Sequence, residues 1–176
     1  MEQSRVRLVR PAEEYREQYV SFYEEWRSSG EDIVPWVVER APDDFTAMLD
    51  FLYAEDSEEK LFTPGWVPHS TYWLVDEGDQ VVGAVNIRHR LNEKLLNSGG
   101  HIGYGIRPSA RRKGYASVLL RFALQKTKEL GLDKVLVVCD KENTGSEKTI
   151  LKNGGRLESE YRDEDGNVLR RFWIEL

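Results

Sequence analysis

Three cations, Arg111, Arg112 and Lys113, stand immediately before Gly114, between a strand-like run at residues 101–105 and a stretch with helical spacing. The first turn of a helix leaves about four backbone N–H groups without intrahelical partners, and the aligned peptide dipoles put roughly half a positive charge there. Such a terminus binds phosphate. Pro108 and Ser109 stop the strand, and Gly114 has no Cβ to hold a ligand at a distance. An ordinary strand-to-helix turn with a solvated basic cluster would use the same residues, so charge alone leaves both readings open. Two other phosphate cradles fail on spacing. No glycine stands where a P-loop needs one before Gly-Lys-Ser/Thr, and Gly103-Tyr104-Gly105 runs on into Ile106, Arg107 and Pro108 instead of a dinucleotide fingerprint.

Groups able to move a proton are fewer. His101 lies on the same strand as Ile106, but at a separation that turns the two to opposite faces unless the strand bulges, whereas Tyr104 shares the parity of Ile106. Each is a candidate acid or base, and each is also an ordinary packed residue. Cys139 closes an apolar run, where a small buried thiol needs no chemical role. The 3 histidines are scattered without metal-ligand spacing. Asn86, Arg88 and His89 fall at or beyond a strand end, open either to a substrate or to solvent.

The elements that must hold these groups follow from periodicity. Val6, Leu8 and Val9 suggest a short strand closed by Pro11, and Tyr15, Tyr19, Phe22 and Trp26 recur as a helical stripe that Gly30 ends. Pro42, Asp43 and Asp44 begin a second helix with Phe45, Met48, Leu49 and Leu52 on one side. Residues 55–60 read as charged, solvated surface, and residues 61–70, with Trp66, as a loop. Residues 72–75 and 80–88 pair as a hairpin, and residues 91–100 are a polar connection into a central strand at 101–107. Tyr115, Val118, Leu119, Phe122 and Leu130 place a helix on a sheet, stopped by Gly131. The continuous apolar run 135–139 is a strand covered on both faces, parallel to and beside the central strand. Thr144 and Glu147 have capping-box spacing for a short helix ending at 153–155, and a closing hairpin spans 157–161 and 168–174.

With 176 residues and one cysteine, the chain suits one domain without an internal disulfide. A net charge of −6 makes general nucleic-acid binding an unfavoured function and permits a cationic or amine substrate. No run is long and apolar enough for a membrane span, and the first residues lack the apolar segment of a signal peptide, so a cytoplasmic location is expected.

Arg111-x-x-Gly114-x-Ala116, after a strand ending Ile106-x-Pro108, resembles the acyl-CoA signature of the GCN5-related N-acetyltransferase (GNAT) superfamily, written Arg/Gln-x-x-Gly-x-Gly/Ala. Asn143, Ser146 and Lys152-Asn153-Gly154 resemble a second motif of the same family, and the order of elements is similar from end to end. Residues 99–108 and 139–155 also resemble an uncharacterised bacterial subgroup. The resemblance implies an α/β (α+β) fold over residues 1–176, with a mixed central sheet of about six or seven strands, flanking helices and a splayed parallel strand pair. It implies acetyl-CoA as cosubstrate, no metal, and direct attack on the thioester by the amine of a small molecule or protein. Cofactor contacts would then come from Ile106, Arg107, Arg111, Arg112, Lys113, Gly114, Tyr115, Ala116, Asn143 and Ser146, and proton transfer from Tyr104 or His101. Nucleic-acid and membrane partners are not expected; a homodimer is admitted. One departure stands out: Ile150 occupies the position where many members have a tyrosine that protonates the departing thiolate. A non-catalytic acyl-CoA-binding module is therefore the alternative.

Overall fold

The computed structural model describes residues 5–176. Along it run β1 (Arg7–Val9), α1 (Arg16–Ser28), α2 (Phe45–Tyr53), β2 (His69–Val75), β3 (Val81–Arg88), β4 (Ile102–Ile106), α3 (Tyr115–Glu129), β5 (Lys134–Asp140), α4 (Thr144–Lys152), β6 (Arg156–Arg162) and β7 (Val168–Glu175). The β2–β3 turn closes because Asp76 Oδ1 accepts from the N–H groups of Gly78 and Gln80. Asp44 caps α2 by accepting from the Ala47 N–H at 3.0 Å.

Apolar residues on both faces of β3 dictate the layering. Val81 to Ile87 is buried throughout, so neither face is left to water and helices cover both. On one face α1 and α2 bring Tyr19, Phe22, Trp26, Phe45 and Met48 against Trp73 and Ala84, with Tyr19 stacked on Trp73 at 4.2 Å. On the other, α3 brings Val118, Leu119, Leu120 and Ala123 into a cluster with Val85, Ile102, Val135, Val137, Ile150 and Phe172. That second cluster draws on both ends of the chain. Among the described residues no helix is long and apolar enough to cross a membrane.

The strands form two antiparallel sheets, β1-β2-β3-β4 and β5-β7-β6, instead of one mixed sheet. The expected neighbours β4 and β5 meet at one place. His101 N–H donates to Leu136 O at 2.8 Å, and Leu136 N–H donates to His101 Nδ1 at 2.9 Å. Both strands leave that latch toward their C-terminal ends. No parallel ladder joins β4 to β5 beyond this latch, although β5 pairs with β7 over its whole length on its other edge.

Local expectations shift in several places. Tyr15 belongs to a 3-10 turn, Glu13–Tyr15, ahead of α1. The connection before β4 holds a π-helical turn, Leu95–Gly99, and β2 begins at His69, inside the expected loop. Glu55, expected on a solvated surface, is buried and accepts from Phe62 N–H, Thr63 N–H and Thr63 Oγ1, tying down the following loop. Asn86 is fully buried within β3, not at a solvated end. Asn143, not Thr144, caps α4; its Oδ1 accepts from the Ser146 N–H at 3.0 Å.

Candidate active site

Beyond the latch, a cavity of about 710 Å³ lies between β4 and α4. Tyr104, Gly105 and Ile106 of β4 form one wall, and Arg111, Arg112 and Gly114 continue it into Tyr115, Ala116 and Ser117 at the start of α3. Asn143, Gly145, Ser146, Lys148, Thr149 and Lys152 form the opposite wall. Trp26, Glu31, Asp32 and Val34 close one end.

The geometry of β4 decides which main-chain groups face this opening. Arg88 N–H donates to His101 O, and Arg107 N–H donates back to Val82 O. Antiparallel ladders alternate, so the main-chain groups of Tyr104 and Ile106 turn away from β3 toward the cavity. Ile106 O is partly engaged by Arg111 Nε at 3.0 Å. Gly105 is required by close packing: a Cβ there would lie 2.4 Å from both the Trp26 ring and the Val34 carbonyl oxygen.

At the turn, Arg112 has φ 61 and Gly114 has φ 85, both left-handed. Gly114 is the residue preceding α3 and has no side chain with which to cap it, so the first turn of the helix faces the cavity without a capping group. The lining carries Arg112, Lys148 and Lys152 as cations and Glu31 and Asp32 as acids. Arg111 commits its guanidinium to Glu31, 2.7 Å away, and that contact holds the Glu31 carboxyl below the usual carboxylate range. The uncapped start of α3 beside basic lining residues is a setting that suits an anion.

Tyr104 Oη and Ser146 Oγ are 2.9 Å apart across the cavity. Burial pushes the Tyr104 phenol up to about 12 against the opposing pull of the Ser146 bond, so it is protonated at neutral pH. Burial likewise raises the neighbouring Cys139 thiol to about 11, which leaves it protonated and a poor nucleophile. Asn143 uses Oδ1 to cap α4, while its Nδ2 makes no hydrogen bond among the described residues.

Three of the residues singled out from the sequence lie elsewhere. His101 does not line the cavity; its Nδ1 accepts from Leu136, and burial followed by the nearby Arg88 charge lowers it to about 4. A ring so bonded and so reluctant to take a proton is a latch, not a base. Arg107 turns inward onto Glu25, Ser21 and the Val81 carbonyl. Lys113 lines a separate shallow depression with Asp76, Gln80 and Ser109.

A family model described as an acetyltransferase (GNAT) domain matches residues 5–156. The chain belongs to the GNAT acetyltransferases. No curated protein matches it. Among solved structures, the GNAT chain is similar to the microcin C7 self-immunity acetyltransferase MccE in complex with acetyl-CoA and AMP, at 17% identity and TM-score 0.69 over 98% of this chain and 93% of that one. It is also similar to a dodecameric spermidine N-acetyltransferase from Vibrio cholerae, at 18% identity and TM-score 0.66 over 98% and 94%. A GCN5-related N-acetyltransferase from Kribbella flavida gives 16% identity and TM-score 0.61 over 98% and 99%. These likenesses describe the fold.

Of the lining residues the sequence did not single out, Lys148 and Thr149 fall with Gly145 and Lys152 on one face of α4, a spacing visible in the sequence. Trp26 reaches the GNAT cavity from the end of α1, and Glu31, Asp32 and Val34 reach it because the following loop folds back over Gly105, for which no local signal exists.

The His101 latch gives a direct test. His101→Ala leaves the buried Leu136 N–H without its acceptor, which should cost about 1–3 kcal/mol, read as a lower urea midpoint. In the parent protein the latch histidine stays neutral down to about pH 4, whereas the unfolded chain takes the proton near 6.5. Stability should therefore fall as pH drops from 6.5 toward 4, by at most about 1.4 kcal/mol per pH unit from this residue, and the variant should lose that dependence.

Proposed function

We propose that this protein transfers an acetyl group from acetyl-CoA to a primary amine by direct attack on the thioester. The observation that carries the reading is the cavity itself, which joins a left-handed Gly114 at the start of α3 to the outward-facing main chain of β4 and the paired hydroxyls of Tyr104 and Ser146. When bound, acetyl-CoA supplies an activated acyl group, so that a C–N bond forms as the C–S bond breaks and the amine gives up a proton to water. Gly114, Ala116 and Arg112 would hold its diphosphate, with Asn143 and Ser146 on the opposite wall. The Ile106 N–H, turned away from β3, would donate to the thioester carbonyl, where negative charge develops.

Tyr104 takes the part of the missing family tyrosine in this reading. Ile150 is fully buried in the core cluster and offers no proton, whereas the Tyr104 phenol is protonated, lines the cavity and is oriented by Ser146. It would donate a proton to the departing sulfur. Tyr104→Phe is expected to lower kcat by about a hundredfold while the affinity for CoA changes by less than about threefold. A non-catalytic acyl-CoA-binding module would show CoA binding by calorimetry and no release of free CoA with any amine, and Tyr104→Phe would then have no rate to lower.

The pH profile follows from the histidines. Burial and neighbouring charge hold His69 and His101 near 4, so neither changes charge around neutrality. With no histidine base on the cavity wall, kcat/KM should climb with pH in step with the free-amine fraction of the acceptor, with no inflection near 6.5. An inflection that stayed near 6.5 for amines of different basicity would overturn this account. A cytoplasmic setting, where acetyl-CoA is available, goes with the reading.

A further inference from the structure

Three arginines are drawn into the body of the protein, and one of them has no carboxylate. Arg107 is paired with Glu25 at 2.9 Å and Arg171 with Glu158 at 3.1 Å. Arg88, the last residue of β3, is partly buried and donates from Nη1 to Gly99 O at 3.2 Å, with no ion-pair partner among the described residues. A guanidinium presents five donors in a planar fork suited to a carboxylate, and withdrawing its charge from water is unfavourable unless a partner compensates. Burial lowers the Arg88 side chain only to about 10, so it keeps its charge at neutral pH.

Its surroundings are polar. By register, Arg88 lies opposite His69, and Asn86 lies opposite both Thr71 and Gly103, so these groups share one face of the sheet. Asn86 Nδ2 bonds to His69 Nδ1 and Thr71 Oγ1, but the buried Asn86 Oδ1 has no hydrogen-bond partner among the described residues. The nearby Glu55 carboxylate is engaged by Phe62 and Thr63 and does not reach the arginine. Above His69, the rings of Trp36 and Trp66 stand edge to face at 5.3 Å, still 37% and 39% exposed. They offer an apolar wall beside a fixed positive charge.

The distance from Arg88 to the acyl cavity is short. Its guanidinium nitrogens lie 3.2 Å from where a Cβ on Gly103 would stand, and Pro35 Cβ lies 3.4 Å from the same position. Gly105 is the next residue on the same face, about 7 Å along the strand, and with Val34 it borders the cavity. An anion held at Arg88 and an amine at the Gly105 edge of the cavity would lie within the span of one small molecule, across the segment where Trp26 and Val34 pack on Gly105.

Resting on the acetyltransferase reading above, we propose that the acceptor is an amine bearing a carboxylate held by Arg88, a free α-amino acid being the simplest case. Trp36 and Trp66 would take its side chain. A polyamine would set a second cation beside an unpaired arginine, and a protein N-terminus generally has no carboxylate so near its amine, so both are disfavoured on this geometry.

The test compares free amino acids with their carboxamides in an assay of CoA release. Carboxamides have the less basic amine and hold more of it neutral at pH 7, so a preference for the free acids runs against intrinsic reactivity and supports the proposal. Arg88→Gln is expected to raise KM for the acids about thirtyfold, with kcat within about threefold and KM for the carboxamides unchanged. Arg88→Lys, which keeps the charge but loses the fork, should give a smaller rise and serves if the first variant fails to fold. Quenching of tryptophan fluorescence by an N-acetylated amino acid, but not by its carboxamide, reads the same contact without turnover. Equal or better use of the carboxamides by the parent protein would overturn the role of Arg88 and leave acetyl transfer standing. Equal loss for both substrate sets in Arg88→Gln would overturn it in favour of a scaffold role through Gly99. CoA binding with no amine of either set acetylated would overturn the transferase reading and this proposal together.

Discussion

Gly114→Glu is expected to weaken CoA binding by about a thousandfold or more while the protein still folds. Gly114 has φ 85, so any side chain there carries a left-handed strain of about 1–2 kcal/mol, which a folded domain tolerates. The larger effect is on the ligand. A carboxylate at the start of α3 would stand where the proposed diphosphate does, and two like charges about 4 Å apart repel by about 4 kcal/mol at the effective dielectric of a protein surface. Loss of charge-assisted bonds from the turn adds to that. Gly114→Ala separates the two effects, since it brings the strain without the charge and should weaken binding by only about tenfold or less. Calorimetry on both variants, with circular dichroism to confirm the fold, checks the prediction; undiminished affinity in Gly114→Glu would place the diphosphate elsewhere.

Arg107→Ala should be the most destabilising of the substitutions considered, by about 3–5 kcal/mol. Its guanidinium donates to Glu25 Oε1 at 2.9 Å, to Ser21 O and Oγ, and to Val81 O, tying α1 to β3 and to the end of β4. Removing it leaves Glu25 with the Ser109 N–H and hydroxyl and an uncompensated charge. Burial pushes the Glu25 carboxyl up, but Ser109 and Arg107 together outweigh that and hold it below its ordinary 4.5. The stabilisation is therefore present above pH 4.5 and fades as pH falls through the lower folded value. Urea midpoints for Arg107→Ala, Glu25→Ala and the double variant would measure the coupling. Near-additive effects would contradict the ion-pair account.

Local patterns were readable where one element decides its own conformation. The helical spacing of Val118, Leu119 and Phe122 and the unbroken apolar run of β5 need no distant partner to be recognised. The two motifs were readable for the same reason: each is a turn followed by a helix, whose spacing survives intact in the sequence. Arg107 was not. It belongs to the same basic stretch as Arg111 and Arg112, and its inward turn depends on Glu25, 82 positions away. His101 stays open between two roles on similar grounds, because its acceptor role is fixed by Leu136, 35 positions distant. At α4, Asn143 and Thr144 are both good capping residues side by side, and composition could not rank them.

The opening between β4 and β5 has a consequence for how such a chain changes over generations. If its walls hold the cosubstrate through peptide groups, any residue except proline supplies the same donor, and most side chains along those walls are free to drift. Constraint would concentrate on the positions that keep the wedge apart and the entrance turned, Gly105 and Gly114 among them. Chains of 16–18% identity can then share the architecture while diverging in the acceptors they recognise.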